Sequence, residues 1–156
     1  MAFSNKYGHI LLNTSNKSEA AVGYGTLYGD MTGGLSILGD VYKTDVYRLA
    51  NFINRNGELI PRHVIDKPPS AELKPGQKDS DSLPEYDLLD AVLFAYIEQQ
   101  KDTESIIESG FNEQQVKEII NRVNQNEYKR YQTPPILRIS TKAFGAGRRM
   151  PLVARY

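Results

Sequence analysis

The sequence contains no cysteine, which excludes disulfide bonds, thiolate zinc sites and a cysteine nucleophile. It also carries no net charge, because its 19 Lys and Arg residues balance 19 Asp and Glu residues. That balance argues against a protein dedicated to nucleic acid or to a membrane surface, since such proteins usually have a basic excess. The two histidines, His9 and His63, are far apart in the sequence and do not form a metal-binding pair.

Membrane and secretion signals are missing as well. No apolar run approaches the roughly 20 residues that a membrane-spanning helix needs. The first ten residues, MAFSNKYGHI, lack the charged leader and apolar segment of a secretory signal. The length of 156 residues suits one domain with its own core. We therefore expect a soluble, cytoplasmic domain.

The first third of the chain predicts an α/β architecture. Residues 9–14 (HILLNT) and 35–40 (LSILGD) are short apolar runs typical of buried parallel strands. Apolar residues then recur at positions 46, 49, 50 and 53, and Gly57 follows as a stop signal, which predicts an amphipathic helix. Strand, short helix, strand and helix in this order indicate a parallel sheet. Two strands make a small sheet, so either further strands lie in the loops or the chain is one part of a larger fold.

The remainder predicts a helical region. Residues 66–84 have four of the eight prolines and no apolar periodicity, so we expect a long loop that is mobile without ligand. Ser82 and Glu85 form an S-x-x-E capping box before a helix with a broad apolar face. A short helix ends at Gly110, and Asn112 with Gln115 caps another helix, which ends before the prolines at 134 and 135. The basic tail beyond is irregular, with room for one short strand.

The glycine-rich segment 13–30, NTSNKSEAAVGYGTLYGD, raises the question of a phosphate-binding loop. Gly29 and Gly34 have the spacing of such a loop, but Leu35 stands where its lysine is required. A dinucleotide fingerprint fails too, because Tyr28 occupies its third glycine position. Taken alone, these glycines are more typical of turns.

Charged residues give weaker signals, each with two readings. Lys43 lies at the start of the predicted helix and opposes its macrodipole, so either a bound phosphate compensates or the lysine is exposed at small cost. Glu19 is an isolated carboxylate among small residues, and it is either a magnesium ligand or a solvated side chain. The basic pairs at 129–130 and 148–149 suit phosphates, or belong to the solvated surface.

Read together, the short motifs are specific. In chain order they are NKSE (16–19), VGYGTLYGD (22–30), GDVYKT (39–44), PSAEL (69–73), DSDSLPEY (79–86), AFG (143–145) and RRMP (148–151). This series resembles the synthetase domain of NAD synthetase, in the glutamine-dependent branch, and the resemblance runs from Ser4 to the end. It implies a Rossmann-like adenine-nucleotide alpha-hydrolase fold with parallel strands, followed by a helical subdomain and an irregular tail. On this basis residues 1–65 are the α/β part, 66–84 a loop, and 85–156 the helical part and basic tail.

The resemblance also implies a reaction. Family members adenylate the nicotinate carboxylate of deamido-NAD with ATP and Mg²⁺, release pyrophosphate, and use ammonia to displace AMP, which yields NAD. By position, Thr14, Lys43 and Ser70 match ATP-binding residues, and Glu19 matches the magnesium ligand. The residues that match the deamido-NAD site are Tyr24, Gly25, Thr26, Leu27, Lys129 and Arg138. The family is a homodimer, and in this branch a glutaminase domain delivers the ammonia.

Two family features have no counterpart in this sequence. The Ser-Gly-Gly-x-Asp-Ser loop that binds pyrophosphate is absent, and Thr32-Gly-Gly-Leu-Ser36 lacks its aspartate and lies on the wrong side of NKSE. The glutaminase domain requires a cysteine nucleophile, and this chain has none. We therefore expect a C-terminal fragment that does not synthesise NAD alone. Two alternatives remain: a non-catalytic assembly module built on the helices at 85–99 and 113–128, and a relative of GMP synthetase.

Overall fold

The computed structural model describes residues 1–152, and its sheet is small and parallel. Strand β1 (Leu12–Asn13) pairs with β2 (Leu35–Ser36), with Leu12 opposite Leu35. On the other side of β2, Ile136 forms a parallel bridge with Ser36, where the Ser36 N–H donates to the Pro135 carbonyl oxygen at 2.8 Å. The predicted parallel pairing is confirmed, and the tail contributes a bridge in place of the expected short strand. Both strands are shorter than predicted, and among the described residues β1 has no ladder partner on its outer edge.

Helices make up most of the described structure. They are α1 (Ala2–Tyr7), α2 (Lys17–Val22), α3 (Lys43–Ile53), α4 (Arg62–Asp66), α5 (Tyr86–Leu93), α6 (Thr103–Glu108), α7 (Glu113–Gln125) and α8 (Glu127–Arg130). Short 3₁₀ turns cover Asn54–Asn56 and Asp79–Asp81, and a π-helical turn, Phe94–Glu98, extends α5. The periodicity did not predict α1 and α4. Within residues 1–152, no helix is long and apolar enough to cross a membrane.

The hydrophobic core lies among α2, α5, α6 and α7. Its members with at most 1% exposed surface are Ala21, Leu89, Val92, Leu93, Ile97, Ile106, Val116, Ile119 and Val123. These residues recur at helical spacing along α5 and α7, so each helix turns one apolar face inward. The predicted apolar faces of both helices are thus confirmed, and so is the Asn112 cap, which accepts a hydrogen bond from the Gln115 N–H at 3.1 Å.

Several apolar residues in the first third of the chain are exposed, unlike those of the core. Helix α3 is confirmed, but its apolar stripe is not buried, because Leu49 is 43% and Ile53 is 37% exposed. Ile10 and Leu12, in the run predicted to be a buried strand, are 73% and 49% exposed. The predicted burial is therefore wrong for Ile10 and Leu12 within the described chain, since residues 1–152 leave about half or more of each side chain uncovered.

The predicted capping box at Ser82 and Glu85 is also wrong. Helix α5 begins later, at Tyr86, and its cap residue Glu85 accepts no side-chain hydrogen bond. Ser82 instead closes the preceding 3₁₀ turn, where its N–H donates to the Asp79 carbonyl oxygen at 3.0 Å. Pro84 explains the delay, because a residue that precedes proline is disfavoured in helical conformation. The mobility of residues 66–84 without ligand stays a prediction.

Candidate functional site

One cavity of about 820 Å³ lies between α2, the start of α3, the segment 70–79 and α8. The expected site residues that line it are Thr14, Glu19, Tyr24, Gly25, Thr26, Lys43, Ser70 and Lys129. Thr14, Glu19 and Lys43 come from three separate segments, and the fold brings them to the same hollow. Such convergence of a carboxylate, an ammonium and hydroxyl groups suits a ligand that carries phosphates.

Glu19 is held in place by the first turn of α2. The Asn16 side chain accepts from the Glu19 N–H at 3.0 Å, while Glu19 Oε2 accepts from the Asn16 N–H at 3.2 Å. This reciprocal pair is a capping box, and the N-x-x-E spacing was a local signal for it that the sequence analysis missed. The second oxygen, Oε1, lies 3.4 Å from Lys43 Nζ. Burial raises the pKa of the Glu19 carboxyl group and outweighs the opposite effects of Lys43 and Asn16.

Lys43 stands in the first turn of α3, whose start is capped by other helices. Its own cap residue, Tyr42, makes no side-chain hydrogen bond. Instead Ser18 Oγ accepts from the Lys43 N–H at 2.9 Å, and Asp90 Oδ2 accepts from the Thr44 N–H at 2.9 Å. The buried Asp90 carboxylate thus provides the negative charge that the helix start favours. Groups within the protein therefore offset the unfavourable position of the Lys43 charge in the helix macrodipole, and no phosphate is needed for that purpose.

Lys129 fixes the shape of the segment that follows α2. Its ammonium donates to the carbonyl oxygens of Gly23 at 2.7 Å and Gly25 at 2.8 Å. Gly23 has a φ of 67°, and a Cβ there would overlap the side chain of Asn126. The glycine is therefore required by packing within the chain as well as by its place on the cavity wall. Lys129 lines the cavity, and two of its three N–H donors are used by these backbone carbonyls, so its role at the dinucleotide stays a prediction.

Two expected site residues lie elsewhere. Among the described residues, neither Leu27 nor Arg138 lines this cavity. Arg138 borders a second cavity, of about 410 Å³, and its guanidinium donates to the carbonyl oxygens of Ser140 at 3.1 Å and Thr141 at 2.6 Å. Their roles at the dinucleotide stay predictions.

Arg130, next to Lys129 in the sequence, does not bind phosphate in this arrangement. Arg130 is buried, its Nη2 lies 2.8 Å from Glu127 Oε2, and its Nη1 donates to the Ala21 carbonyl oxygen at 2.6 Å. Burial lowers its pKa, an effect that Glu127 opposes. The arginine therefore ties α8 to α2.

Lys17, the first residue of α2, is fully buried and belongs to an ion-pair cluster. Lys17 Nζ lies 2.8 Å from Asp40 Oδ1 and 2.9 Å from Glu98 Oε1, and it donates to Ser140 Oγ at 2.8 Å. Asp40 Oδ2 accepts from the N–H groups of Ile139 and Ser140, at 2.8 and 2.7 Å. Burial alone would raise the Asp40 pKa, but Lys17 and these N–H donors outweigh it and hold the pKa below its ordinary value. This ion-pair cluster fastens α2 to the tail.

Comparisons with known proteins identify the family. The family model described as NAD synthase matches residues 1–133. The chain belongs to the NAD synthase family. It is 54% identical over 155 residues to the glutamine-dependent NAD(+) synthetase of Acinetobacter baylyi, covering 98% of this chain and 29% of that protein. The corresponding protein of Synechocystis is 51% identical over 156 residues, with 100% of this chain and 28% of that protein covered.

A solved structure supports the same fold. The glutamine-dependent NAD(+) synthetase from Cytophaga hutchinsonii superposes with a TM-score of 0.68 at 20% identity, covering 98% of this chain and 26% of that chain. The predicted adenine-nucleotide alpha-hydrolase fold of NAD synthetases is thus confirmed. The chain spans less than a third of the curated relatives it matches. The family match also decides against a GMP synthetase relative.

Proposed function

We propose that this chain is the C-terminal part of the synthetase domain of a glutamine-dependent NAD synthetase. The whole enzyme would adenylate the nicotinate carboxylate of deamido-NAD with ATP, release pyrophosphate, and let ammonia displace AMP. The observation that carries this proposal is the meeting of Thr14, Glu19 and Lys43 on one cavity. It occurs in a chain 54% identical to an enzyme of that name.

In this proposal the residues of the cavity bind and orient the two substrates. Lys43 pairs with the ATP phosphates, while Thr14 and Ser70 contribute hydroxyl groups to ATP. The deamido-NAD site consists of Tyr24, Gly25, Thr26, Leu27, Lys129 and Arg138. Holding the carboxylate against the α-phosphate supplies proximity, and the fixed charges stabilise the charge that develops on the leaving pyrophosphate.

Glu19 fits a magnesium ion bound together with the ATP phosphates. Its Oε2 accepts from the Asn16 N–H, and its Oε1 accepts from Lys43 Nζ at 3.4 Å, so Oε1 is the oxygen that already faces a positive charge and would face the metal ion. Residues 1–152 contain no group of three acidic, histidine or cysteine side chains able to hold a metal by themselves. That matches Mg²⁺, which commonly takes one or two carboxylates plus substrate phosphates. The ion would stabilise negative charge on the phosphates.

The partners of this chain belong to the same proposal. Ammonia would come from a glutaminase domain, and the working enzyme would be a cytoplasmic homodimer or higher homo-oligomer. No nucleic acid or membrane takes part, in keeping with 19 basic and 19 acidic residues.

An activity assay tests the proposal directly. The 156-residue chain contains no Ser-Gly-Gly-x-Asp-Ser sequence, so with deamido-NAD, ATP, Mg²⁺ and ammonium we expect no NAD. The A. baylyi relative serves as the positive control. Turnover by the isolated chain would contradict the proposal of a fragment. Absence of ATP binding by the chain, measured by calorimetry, would contradict the assigned roles of Thr14, Lys43 and Ser70.

A second candidate function is a non-catalytic assembly module. It is favoured by the exposed apolar residues of α3, where Leu49 is 43% and Phe52 is 59% exposed. Size-exclusion chromatography with and without ATP and deamido-NAD separates the two functions. Self-association that is indifferent to both ligands favours assembly, whereas association that changes with ligand favours the synthetase role.

A further inference from the structure

The floor of the cavity contains a carboxylate that the family resemblance did not place at the site. Asp79 is 3% exposed and lines the cavity together with Glu19, Tyr24 and Lys43. Its Oδ2 accepts from the Tyr86 hydroxyl at 2.7 Å. Its Oδ1 is buried and makes no hydrogen bond among residues 1–152. The Tyr24 hydroxyl, whose pKa burial raises, likewise makes none, and its polar neighbours include Ser82 and Asp79 itself.

Buried polar atoms without a hydrogen-bond partner destabilise the fold, and a bound ligand can supply the missing partner. An unmatched buried acceptor loses its hydration without compensation, so native proteins leave few such atoms unless a site needs them. Oδ1 of Asp79 requires a donor, and the Tyr24 phenol can both donate and accept. A phosphate cannot satisfy this pair, because it offers only acceptors and its charge repels a carboxylate. A hydroxyl group satisfies both, since it donates and accepts at once.

The position of Asp79 relative to Lys43 identifies which part of a nucleotide is near. Lys43 Nζ lies 5.5 Å from the centre of the Tyr86 ring, and the hydroxyl of that ring contacts Asp79. One tyrosine ring therefore separates the phosphate-binding lysine of the proposed function from the free carboxylate oxygen. The sugar is attached directly to the phosphates, whereas the base lies beyond it. With the phosphates at Lys43, the sugar is therefore the part of the nucleotide that we expect next to Asp79.

We propose that Asp79 and Tyr24 bind a ribose hydroxyl of the nucleotide, which donates to Asp79 Oδ1 and accepts from the Tyr24 hydroxyl. This inference rests on the proposed function, because it takes Lys43 as the phosphate-binding residue. It assigns to the segment 66–84 a contact with the sugar of ATP in addition to the contact of Ser70. It also gives the Tyr24 hydroxyl a contact with ATP besides the role of its segment in the deamido-NAD site.

The test uses Asp79→Asn in the 156-residue chain. Asparagine keeps one oxygen for the Tyr86 hydroxyl and presents an amide NH₂ where Oδ1 was, so the packing is retained and the acceptor is lost. Because the variant removes an unpaired buried carboxylate, we expect its melting temperature to equal or exceed that of the original chain. The affinity for ATP, measured by calorimetry, falls about tenfold or more, as expected for a hydrogen bond to a charged group. Asp87→Asn, at an exposed acid of α5, is the matched control and leaves both quantities unchanged.

Nucleotide analogues identify the group that Asp79 binds. The original chain should bind either 2′-deoxy-ATP or 3′-deoxy-ATP about tenfold more weakly than ATP, and Asp79→Asn should bind all three equally. Tyr24→Phe should reduce the same preference by a smaller factor, and it replaces Asp79→Asn as the decisive variant if that variant melts early.

Three outcomes would overturn the ribose assignment alone. In the first, the preference for ATP over the deoxy forms persists in Asp79→Asn. In the second, all three nucleotides weaken equally. In the third, Asp79→Asn abolishes discrimination between ATP and ITP, which would place the base edge at Asp79. Absence of ATP binding by the original chain would instead overturn the proposed function together with this inference.

Discussion

Helices α3 and α7 carry similar apolar patterns, but the apolar face of α7 is buried and that of α3 is partly exposed. In α7, Val116 and Val123 are completely buried, because α2, α5 and α6 pack against that face. In α3, Leu49 and Ile53 are 43% and 37% exposed, although their spacing is equally regular. Periodicity indicates which face of a helix needs a partner. It does not indicate whether the partner belongs to the same stretch of chain.

The cavity of about 820 Å³ lies where these two environments meet. Glu19 belongs to α2, which packs into the buried core, and Lys43 belongs to α3, which has an exposed apolar face. The site therefore depends on how firmly α3 is fastened to α2. The four predictions below test that comparison, from the largest expected effect to the smallest.

Lys17→Ala should be the most damaging substitution. It would leave Asp40 and Glu98 without the ammonium that pairs with them, and removing one partner of a buried ion pair costs about 3–5 kcal/mol of unfolding free energy. Urea unfolding followed by circular dichroism measures the loss. A cost no larger than that of an exposed lysine would show that the Lys17 ion-pair cluster does not stabilise the fold.

Two leucine substitutions compare the buried and exposed helices directly. Leu89→Ala removes a side chain with 0% exposure and should cost about 2–5 kcal/mol, since it leaves a cavity in the core. Leu49→Ala, at 43% exposure, should cost less than about 1 kcal/mol. The same urea experiment compares them at one protein concentration. Equal losses would mean that α3 is covered in solution, and dilution would then reveal whether a second copy covers it.

Acid should weaken the ion-pair cluster around Asp40. Its pKa is lowered in the folded chain from the ordinary value of 3.8, so its contribution to stability is complete above that value and is lost as the pH falls through the folded pKa. Urea midpoints measured from pH 5 to pH 2 should fall more steeply for the original chain than for Asp40→Asn. Parallel curves would refute the role of Asp40 in acid stability.

Lys117→Ala should have the smallest effect and serves as the control for Lys17→Ala. Lys117 pairs with Glu113 one turn earlier on α7, with both side chains more than half exposed, at 60% and 64%. Exposed pairs are well screened by solvent, so the urea midpoint should barely move. A shift comparable with that of Lys17→Ala would mean that the assay reports general loss of charge instead of burial.

Local sequence patterns predicted much of this fold, but they could not predict contacts between residues that are distant in the sequence. The apolar faces of α5 and α7 followed from spacing alone, because a buried helix face repeats every three to four residues. The convergence of Thr14, Glu19 and Lys43 came from the family resemblance and not from spacing. Lys17 gave no signal, since its partners Asp40 and Glu98 are distant in sequence and a lysine is usually exposed.

The burial of Asp79 could not be predicted for a related reason. For a carboxylate within a proline-containing loop, the sequence predicts a solvent-exposed side chain. Its contact with Tyr86 depends on how the loop folds over the cavity. The capping box formed by Asn16 and Glu19 was different, because its spacing was visible in the sequence.

The carboxylate of Asp90 has a consequence for how this pocket can change. Its two oxygens contact Ser18 on one helix and the Thr44 N–H on another, and the residues next to these, Glu19 and Lys43, line the cavity. A residue that does not line the cavity thereby fixes the spacing between its negative and positive ends. Any substitution that removes this carboxylate would release both ends at once, so the position of Glu19 could not be altered there without altering that of Lys43.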